Sequence, residues 1–435
     1  MKREVNSRSR RASAGWLRGL VAVVSMIVPS TVLVGQDTVA TAQAKCNKDG
    51  QIRDVGRGWS KIKQPEYSEL DSARGYEGVR GFTVDPDDAN RIYATNKITL
   101  WRSDDGGCTW KDVWHVREPE ASHRAEPFGV IHQIYVPANA PRGVVYASID
   151  SDNLYPPVVH LLKSTDAGAT WSVLDGNFPN GMIAPNPNVG VSYPTLASGP
   201  SDANVLYYSV KAGVDAASSW WLYTSKNGGK SWTTAFDPVD AAASRLGKNQ
   251  RTFTPVVDPL DPKDVWVYHA FEVIHSTDGG ATWSVVVPGT TDGGKGAKDL
   301  EIFHQKKKPA QILVVPTYAH LSKETRRIFR SDNGGKTFYG LITPDEAQTI
   351  HFGKTLNSAI VTTDGYETTP RVFRLDQRSF KRGKFPWVEI TAPGYTGRYM
   401  QDLDAGGGGQ RAYYWRTYDF AWAEELIFWK YSGKV

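Results

Sequence analysis

Ser103–Trp110 reads SDDGGCTW, and the pattern S-x-D-x-G-x-T-W within it returns along the chain. Ser164–Trp171 and Ser276–Trp283 repeat the pattern in full. Ser225–Trp232 and Ser331–Phe338 keep the spacing but carry asparagine where the other copies have aspartate. Ordered recurrence of one short pattern indicates an internal repeat, and the rest of the chain is organised around it.

Each copy of the pattern lies between two short apolar runs, as a turn between two strands does. A short carboxylate or amide side chain accepts hydrogen bonds from nearby backbone N–H groups, and glycine adopts the positive φ that other residues resist. The tryptophan then begins the next strand and provides a large side chain to bury. The repeat therefore predicts a series of turns, each followed by a strand.

The spacing of the copies indicates the size of the repeating unit. The last aromatic residue of the pattern stands at positions 110, 171, 232, 283 and 338, so that the steps are 61, 61, 51 and 55 residues. Four short strands fit within each step, which is typical of a β-propeller blade. Residues 348–391 fit a sixth unit without the pattern, and residues 398–431 supply three further strands. A strand around Trp59 completes this last unit, and the sequence thus predicts an all-β, single seven-bladed propeller over residues 45–435.

The first 44 residues are typical of a secretory signal peptide. A basic stretch precedes an apolar run, Leu20–Gly35, and Ala42-Gln43-Ala44 is a suitable cleavage site before Lys45. A membrane anchor is the alternative, but Pro29–Thr31 interrupts a run that is already short for a span. We expect a secreted protein with no membrane span after cleavage. The pair Arg10 and Arg11 leaves twin-arginine export open.

Net charge gives no reason to expect a nucleic-acid partner. The signal segment contains six basic and two acidic residues, so that its removal lowers the net charge from +5 to +1. The basic balance that phosphate contacts require is therefore absent. The nine histidines are scattered without metal-ligand spacing, and we expect no metal or other cofactor.

Cys46 and Cys108 are the two cysteines of the chain, and both follow the signal segment. An even pair in an exported protein predicts a disulfide, and neither residue has the neighbours of a metal site. Cys108 lies in the first repeated turn, while Cys46 lies shortly before the closing strand at Trp59. The predicted bond therefore fastens the place where the two chain ends meet.

Candidate binding residues lie in the connections between successive repeats, which open on the face opposite the repeated turns. They include a set of arginine and tyrosine residues, namely Arg80, Tyr193, Arg251, Arg398 and Tyr399. Arginine binds carboxylates in bidentate fashion, and tyrosine stacks and donates hydrogen bonds. Such a set suits an anionic or hydroxylated ligand, although solvated loop residues are the alternative.

The repeated pattern resembles the Asp-box or BNR repeats of sialidases, xyloglucanase-type glycoside hydrolases, sortilin-type receptors and photosystem assembly factors. The resemblance covers nearly all of the chain after the signal segment. It implies a propeller fold, and it implies that Asp105, Asp166 and Asp278 hold turns and take no part in catalysis. Because one fold serves hydrolases, receptors and assembly factors, it is less specific for function.

Two departures separate the chain from the enzymes of this group. Arg80, Arg251 and Arg398 resemble the arginine set of sialidases, with Tyr399 or Tyr193 as nucleophile, but Gly81 and Phe82 follow Arg80 where sialidases have Ile-Pro. Xyloglucanases of this group keep a catalytic aspartate where this chain has Asn96, and they use two propellers with a cleft between them.

A carboxylate pair offers a further catalytic possibility. Asp299 and Glu301 are two residues apart on a predicted inner strand, and therefore share one face at a separation of roughly 7 Å. Such a separation is compatible with glycoside hydrolysis, although this face of an inner strand usually packs against the next blade. Asp299 is the better candidate because it is nearer the mouth of the ring.

These observations favour a secreted, monomeric propeller that recognises carbohydrate through its axial cup. If the protein is an enzyme, we expect a glycoside hydrolase with Asp299 and Tyr399 as catalytic residues. The alternative is a non-catalytic binding or assembly protein of the cell envelope.

Overall fold

The computed structural model describes a chain of strands and turns, with no helix among the described residues. All of these residues belong to the compact unit Ala42–Val435. They are 53–56, 59–62, 64–66, 79, 81–115, 130–150, 159–174, 178, 194–212, 219–236, 254–269, 272–286, 296–317, 326–351, 359–363, 371–375, 387–391, 399–406, 412–418 and 427–431.

The strands form antiparallel sheets in which consecutive strands are neighbours. The first two strands are β1 (Arg53–Gly56) and β2 (Trp59–Ile62). Six four-stranded sheets follow. The first three consist of β3 (Gly81–Asp85), β4 (Asp88–Thr95), β5 (Thr99–Ser103) and β6 (Lys111–His115); β7 (Val130–Tyr135), β8 (Val145–Asp150), β9 (Val159–Ser164) and β10 (Ser172–Val173); and β11 (Thr195–Gly199), β12 (Asp202–Ala212), β13 (Ser219–Ser225) and β14 (Thr233–Phe236).

The next three sheets repeat this plan. They consist of β15 (Thr254–Val257), β16 (Val265–Tyr268), β17 (Val273–Ser276) and β18 (Ser284–Val286); β19 (Ala297–Phe303), β20 (Gln311–Pro316), β21 (Arg327–Ser331) and β22 (Tyr339–Ile342); and β23 (Ala347–His351), β24 (Ile360–Thr363), β25 (Val372–Leu375) and β26 (Trp387–Glu389). The last strands are β27 (Tyr399–Gly406), β28 (Ala412–Tyr418) and β29 (Ile427–Tyr431).

The two ends of the chain meet in one sheet, whose strand order is β1-β2-β29-β28-β27. β2 pairs antiparallel with β29, with Trp59 opposite Tyr431, as expected of a strand around Trp59 that completes the last repeat. The Trp59 side chain is fully buried, and its Nε1 donates to the Ile390 carbonyl at the edge of the preceding sheet. β1 adds a fifth strand that the sequence did not predict.

The core lies between the faces of neighbouring sheets, because each sheet presents an apolar face to the next. One cluster joins Leu313 and Ile328 of β20 and β21 to Ile350 and Val361 of β23 and β24. The first strands of successive sheets contact one another in chain order, and β27 in turn contacts β3. Each four-stranded sheet from the first to the fifth therefore buries apolar surface against the sheet that follows it in the chain.

The repeated pattern folds into the same hydrogen-bonded turn in each copy. In the first copy, the Gly107 N–H donates to Ser103 Oγ at 2.8 Å, and Asp105 accepts from both the N–H and the hydroxyl of Thr109. Gly107 has φ of +91°, and a Cβ there would lie 2.1 Å from a methyl carbon of Ile62. Both the conformation and the space therefore require glycine.

Each repeated turn lies beside the turn that joins the first and second strands of its own sheet. In the first sheet the Gly106 N–H donates to the Asn90 carbonyl at 2.8 Å. Gly228, Gly279 and Gly334 make the equivalent bond in three other sheets, to Asn204, Lys263 and Ala310. Both kinds of turn therefore share one side of the molecule, which we name the turn face.

Candidate functional site

The first strands of the six four-stranded sheets surround a cavity of about 380 Å³, which we name the axial cavity. Its apolar wall includes Leu196, Val256 and Ile302. The polar side chains that line it belong to Gln133, Tyr135, Ser198, Glu301 and His351, among others. The cavity follows the first strands as far as Pro86, Pro200 and Pro259, which lie at the turn face.

The sequence predicted a site at the opposite mouth of the ring, and most of that mouth lies outside the described residues. The residues that lie outside the described part of the chain include Arg80, Tyr193, Arg251 and Arg398. Tyr399 begins β27, of which only the backbone is described. The convergence of these residues on one ligand therefore stays a prediction.

The cysteine pairing also stays a prediction. Cys108 lies in the first repeated turn and is buried there, but Cys46 lies outside the described residues.

Glu301 and His351 form a polar pair in the wall of the axial cavity. Glu301 is on β19 and His351 ends β23, and Glu301 Oε1 lies 3.3 Å from His351 Nδ1. Both side chains are about one-quarter exposed, at 29% and 20%. The pair thus offers a carboxylate and an imidazole to a molecule in the cavity.

Asp299 lies two residues before Glu301 and connects three sheets. Its Oδ2 accepts from the Ile350 N–H on β23 at 2.7 Å, and its Oδ1 accepts from the Leu300 N–H and from the Tyr268 hydroxyl on β16 at 3.3 Å. Burial, followed by the charge of Glu301, raises the pKa of Asp299 to about 7. Both carboxylate oxygens therefore hold protein donors, and the group ionises near neutral pH.

Gln133 performs the same structural task in an earlier sheet. Gln133 on β7 and Asp299 on β19 each follow a bulge in the first strand. Gln133 Oε1 accepts from the Leu196 N–H on β11 at 2.6 Å, and its Nε2 donates to the Leu196 carbonyl at 3.2 Å. The residue after the bulge thus bonds the backbone of the next first strand in both sheets.

Tyr135 provides a second bond between first strands. Its hydroxyl accepts from the Ser198 N–H at 2.7 Å and lies 2.8 Å from Ser198 Oγ. The first strands of neighbouring sheets do not pair with each other by backbone hydrogen bonds. Side chains therefore satisfy backbone N–H groups that a neighbouring strand would otherwise bond.

Asn96 holds a turn at the position where the resemblance to xyloglucanases expects a catalytic aspartate. The side chain is fully buried, and its Oδ1 accepts from the N–H groups of Ile98 and Thr99 at 3.0 and 2.7 Å. A carboxamide does not ionise, so that Asn96 cannot act as a catalytic acid or base at this position.

The sequence placed Glu301 on an inner strand but gave no sign of its pairing with His351 or of the contact between Tyr268 and Asp299. The pairing joins residues 50 positions apart and depends on how two sheets pack. Tyr268 reaches Asp299 across a sheet boundary, and no local pattern marks it.

Within the described part of the chain, no group of three or more His, Cys, Asp or Glu side chains is arranged to hold a metal ion. The same described residues include no helix with the length and apolar character needed to cross a membrane.

Comparisons with known proteins relate the chain to carbohydrate-active propellers. No family model matches it. It is 24% identical to the xyloglucanase Xgh74A of Acetivibrio thermocellus over 256 residues, which are 53% of this chain and 27% of that protein. The chain thus spans less than a third of this relative's length.

Solved structures share the fold at low sequence identity. The crystal structure of an ancestral GH74 enzyme superposes with a TM-score of 0.50 and 13% identity, over 88% of this chain and 48% of that one. YCF48 from Cyanidioschyzon merolae superposes with a TM-score of 0.50 and 15% identity, over 86% and 98%. The sequence match relates the chain to xyloglucanases, and the superpositions show the all-β, propeller-like architecture that these structures share.

Proposed function

We propose that residues 45–435 form an exported, seven-bladed propeller that recognises carbohydrate in its axial cavity. The observation that carries the proposal is the Glu301–His351 pair in a cavity of about 380 Å³ with further hydroxyl and amide side chains. Sugar hydroxyls both donate and accept hydrogen bonds, and this lining offers both kinds of partner. The volume is within the usual range for small-molecule sites, roughly 300–1,000 Å³.

The blade count and the export of the protein belong to the same proposal. The contact of β27 with β3 and the pairing of β2 with β29 support a closed ring. The signal-like segment 1–44 supports export, and a Cys46–Cys108 disulfide fastens the ring. If the disulfide forms, neither cysteine reacts with a thiol reagent in folded, non-reduced protein. Labelling of both cysteines would contradict the bond.

Homology to xyloglucanases supports a carbohydrate ligand. Because the chain spans only 27% of the length of Xgh74A, hydrolysis itself is a separate proposal. Arg80, Tyr193, Arg251 and Arg398 extend the ligand contacts beyond the described cavity in this proposal.

A glycoside hydrolase is the stronger form of the proposal, and one observation favours it. Asp299 has a pKa raised to about 7 beside the second carboxyl group of Glu301, and two carboxyl groups in unlike environments are what acid–base catalysis needs. In this form Asp299 donates the proton, and Tyr399 contributes from β27.

A non-catalytic binding protein of the cell envelope is the alternative, and a different observation favours it. Both oxygens of Asp299 already accept hydrogen bonds from the protein, and the buried Asn96 replaces a carboxylate. A cavity that binds a glycan without cleaving it is compatible with both features.

A glycan array followed by hydrolysis assays on the bound glycans tests the proposal. We expect binding that Glu301→Gln weakens by about tenfold or more, because a charge-assisted hydrogen bond is lost. Asp202→Asn is the matched control, since Asp202 is exposed at the turn face. Binding without hydrolysis, in both wild type and control, would contradict the proposal of a glycoside hydrolase. An array without any bound glycan would contradict carbohydrate recognition itself.

A further inference from the structure

A second cavity of about 280 Å³ opens between the first two four-stranded sheets at the turn face. We name it the turn-face niche. The first sheet contributes Asp85, Asp87, Asp88, Arg91 and Tyr93, and the segment from Val136 to Val144 forms the opposite wall. The polar residues of the niche are different from those of the axial cavity.

Two buried polar groups of the niche have no hydrogen-bond partner among the described residues. Tyr93 is fully buried and Arg91 is 6% exposed. The Tyr93 hydroxyl and Arg91 Nη1 both lack a hydrogen bond, although Arg91 Nη1 lies 3.5 Å from Asp85 Oδ2. Buried polar atoms of native proteins are nearly always bonded, so that both groups point to a ligand.

Comparison with the neighbouring repeats shows that the free hydroxyl is an exception. One repeat position, in the second strand of a sheet, is occupied by Tyr93, Tyr146 and Tyr207. Each tyrosine directly follows the residue that pairs with the first serine of the repeated turn. The Tyr146 hydroxyl donates to the Gly228 carbonyl at 3.1 Å, and the Tyr207 hydroxyl donates to the Pro262 carbonyl at 2.9 Å. Of the three tyrosines, Tyr93 lacks such a bond, and it borders the turn-face niche.

The side chains of the niche select the chemical class of its ligand. Three carboxylates outnumber the two arginines of the lining, Arg91 and Arg142, and disfavour an anion, whereas a cation would leave the buried Arg91 donor without a partner. A hydroxyl group satisfies both sides, since it donates to a carboxylate and accepts from a guanidinium or a phenol. Val136, Pro141 and Val144 add an apolar wall for the C–H face of a ring.

We propose that the turn-face niche binds a neutral polyhydroxylated ring of the size of one monosaccharide. Ring hydroxyls accept from Arg91 Nη1 and bond the Tyr93 hydroxyl, and they donate to Asp85 and Asp88. Each of the three carboxylates already accepts one backbone N–H with one oxygen, Asp85 from Asp87, Asp88 from Asn90 and Asp87 from Asn139, and the second oxygen of each is the acceptor for a ring hydroxyl. The niche is a second site that does not depend on ligand binding in the axial cavity.

Saturation-transfer NMR titrations with D-xylose, D-glucose and myo-inositol test the proposal, with thermal melting as a parallel readout. At least one of these probes should saturate, and Tyr93→Phe should weaken its binding by about fivefold or more through one lost hydrogen bond. Without a probe, Tyr93→Phe should melt at or above the wild-type temperature, because it removes an unbonded buried hydroxyl.

Tyr207→Phe is the matched control, since it removes a hydroxyl that is bonded. It should lower the melting temperature and leave probe binding unchanged. Ala140→Leu, which fills the niche from its wall, provides a second variant if Tyr93→Phe does not fold, and it should abolish binding.

Three outcomes would overturn the proposal. One is saturation by inorganic phosphate or putrescine but by none of the three neutral probes, and another is no saturation by any probe. The third is binding that survives both Tyr93→Phe and Ala140→Leu. Repeating the titration in Glu301→Gln separates the sites, because binding in the niche persists there even if axial recognition is lost or was never present.

Discussion

Asp278 of the turn face and Asp299 of the first strand β19 are both aspartates, yet their environments move the pKa in opposite directions. Hydrogen bonds from the hydroxyl and the N–H of Thr282 lower the pKa of Asp278 to about 2 in a solvent-exposed turn. Burial and the charge of Glu301 raise that of Asp299 to about 7. Donors favour the ionised form and burial disfavours it, so that the surroundings decide what each carboxyl group can do.

The difference also separates local from long-range bonding. Asp278 bonds residues of its own turn, at most four positions away. Asp299 bonds Ile350 and Tyr268, which belong to two other sheets. The turn aspartates therefore organise the single sheet, whereas Asp299 fastens sheets to each other.

The largest effect is expected from Asp299→Ala. It leaves the Ile350 N–H and the Tyr268 hydroxyl without their acceptor, which should lower the free energy of unfolding by about 2–4 kcal/mol. Urea unfolding of the variant and of Asp202→Ala measures this, since Asp202 is an exposed turn aspartate. Equal losses in the two variants would show that Asp299 has no special role between sheets.

The pH dependence of stability should differ between the two aspartates. Because the folded pKa of Asp299 is raised from 3.8 to about 7, the folded state binds more protons than the unfolded state in this window. Its contribution to stability is present at low pH and is lost as the pH rises toward 7, by at most about 1.4 kcal/mol per pH unit.

Asp299→Asn should flatten the stability profile between pH 4 and pH 7, roughly the interval between the two pKa values. Unfolding titrations at a series of pH values measure the slope for wild type and variant. An unchanged slope in the variant would assign the pH dependence to other groups.

Gln133→Ala measures the stability contributed by a hydrogen bond between first strands in the absence of an ionisable group. Gln133 bonds Leu196 from the position after the bulge, as Asp299 bonds Ile350, but it does not ionise. We expect a loss of about 1–2 kcal/mol in the free energy of unfolding that is the same at pH 4 and pH 7. A loss that varies with pH would mean that titratable neighbours, and not the amide bonds, are disturbed.

The smallest effect is expected from Asp278→Asn. The chain itself places asparagine at this position of the repeat in Asn227 and Asn333, where the amide Nδ2 donates to Ser231 and Thr337. At neutral pH the variant should therefore melt close to the wild-type temperature.

Acid should reveal the difference. A lowered folded pKa stabilises the protein above the unfolded value of 3.8, and this contribution is lost as the pH falls to about 2. Melting curves between pH 2 and pH 5 should show a shallower acid loss for Asp278→Asn than for wild type. A parallel decline in both would assign acid unfolding to carboxyl groups elsewhere.

The repeats made the sheets and their turns predictable, because the information lies within a few residues. The positions of Ser103, Asp105 and Gly107 in one turn follow from the hydrogen bonds that close it, and recurrence of the pattern places the strands on either side. The last repeat lacks a fourth strand, and this predicted the pairing of a strand at Trp59 with the end of the chain. The extra strand β1 carries no such pattern and was not predicted.

The candidate site was less predictable, because its contacts cross from sheet to sheet. Sequence reasoning placed Asp299 and Glu301 on one inner strand, but their partners His351, Ile350 and Tyr268 depend on which sheets are neighbours. The predicted binding residues at the mouth opposite the repeated turns stay a prediction, and no sequence pattern indicated that the axial cavity reaches the turn face at Pro86, Pro200 and Pro259.

By itself the sequence determined the all-β repeat and the local role of the turn carboxylates, since period and hydrogen-bond chemistry act over a few residues. Only the tertiary structure decided the ionisation of Asp299 and the absence of a bond at Tyr93, although Tyr146 and Tyr207 share its repeat position. Burial and hydrogen-bond partners depend on the side chains of the neighbouring sheet. In a repeat fold these neighbours differ between equivalent positions, even where the local sequence is the same.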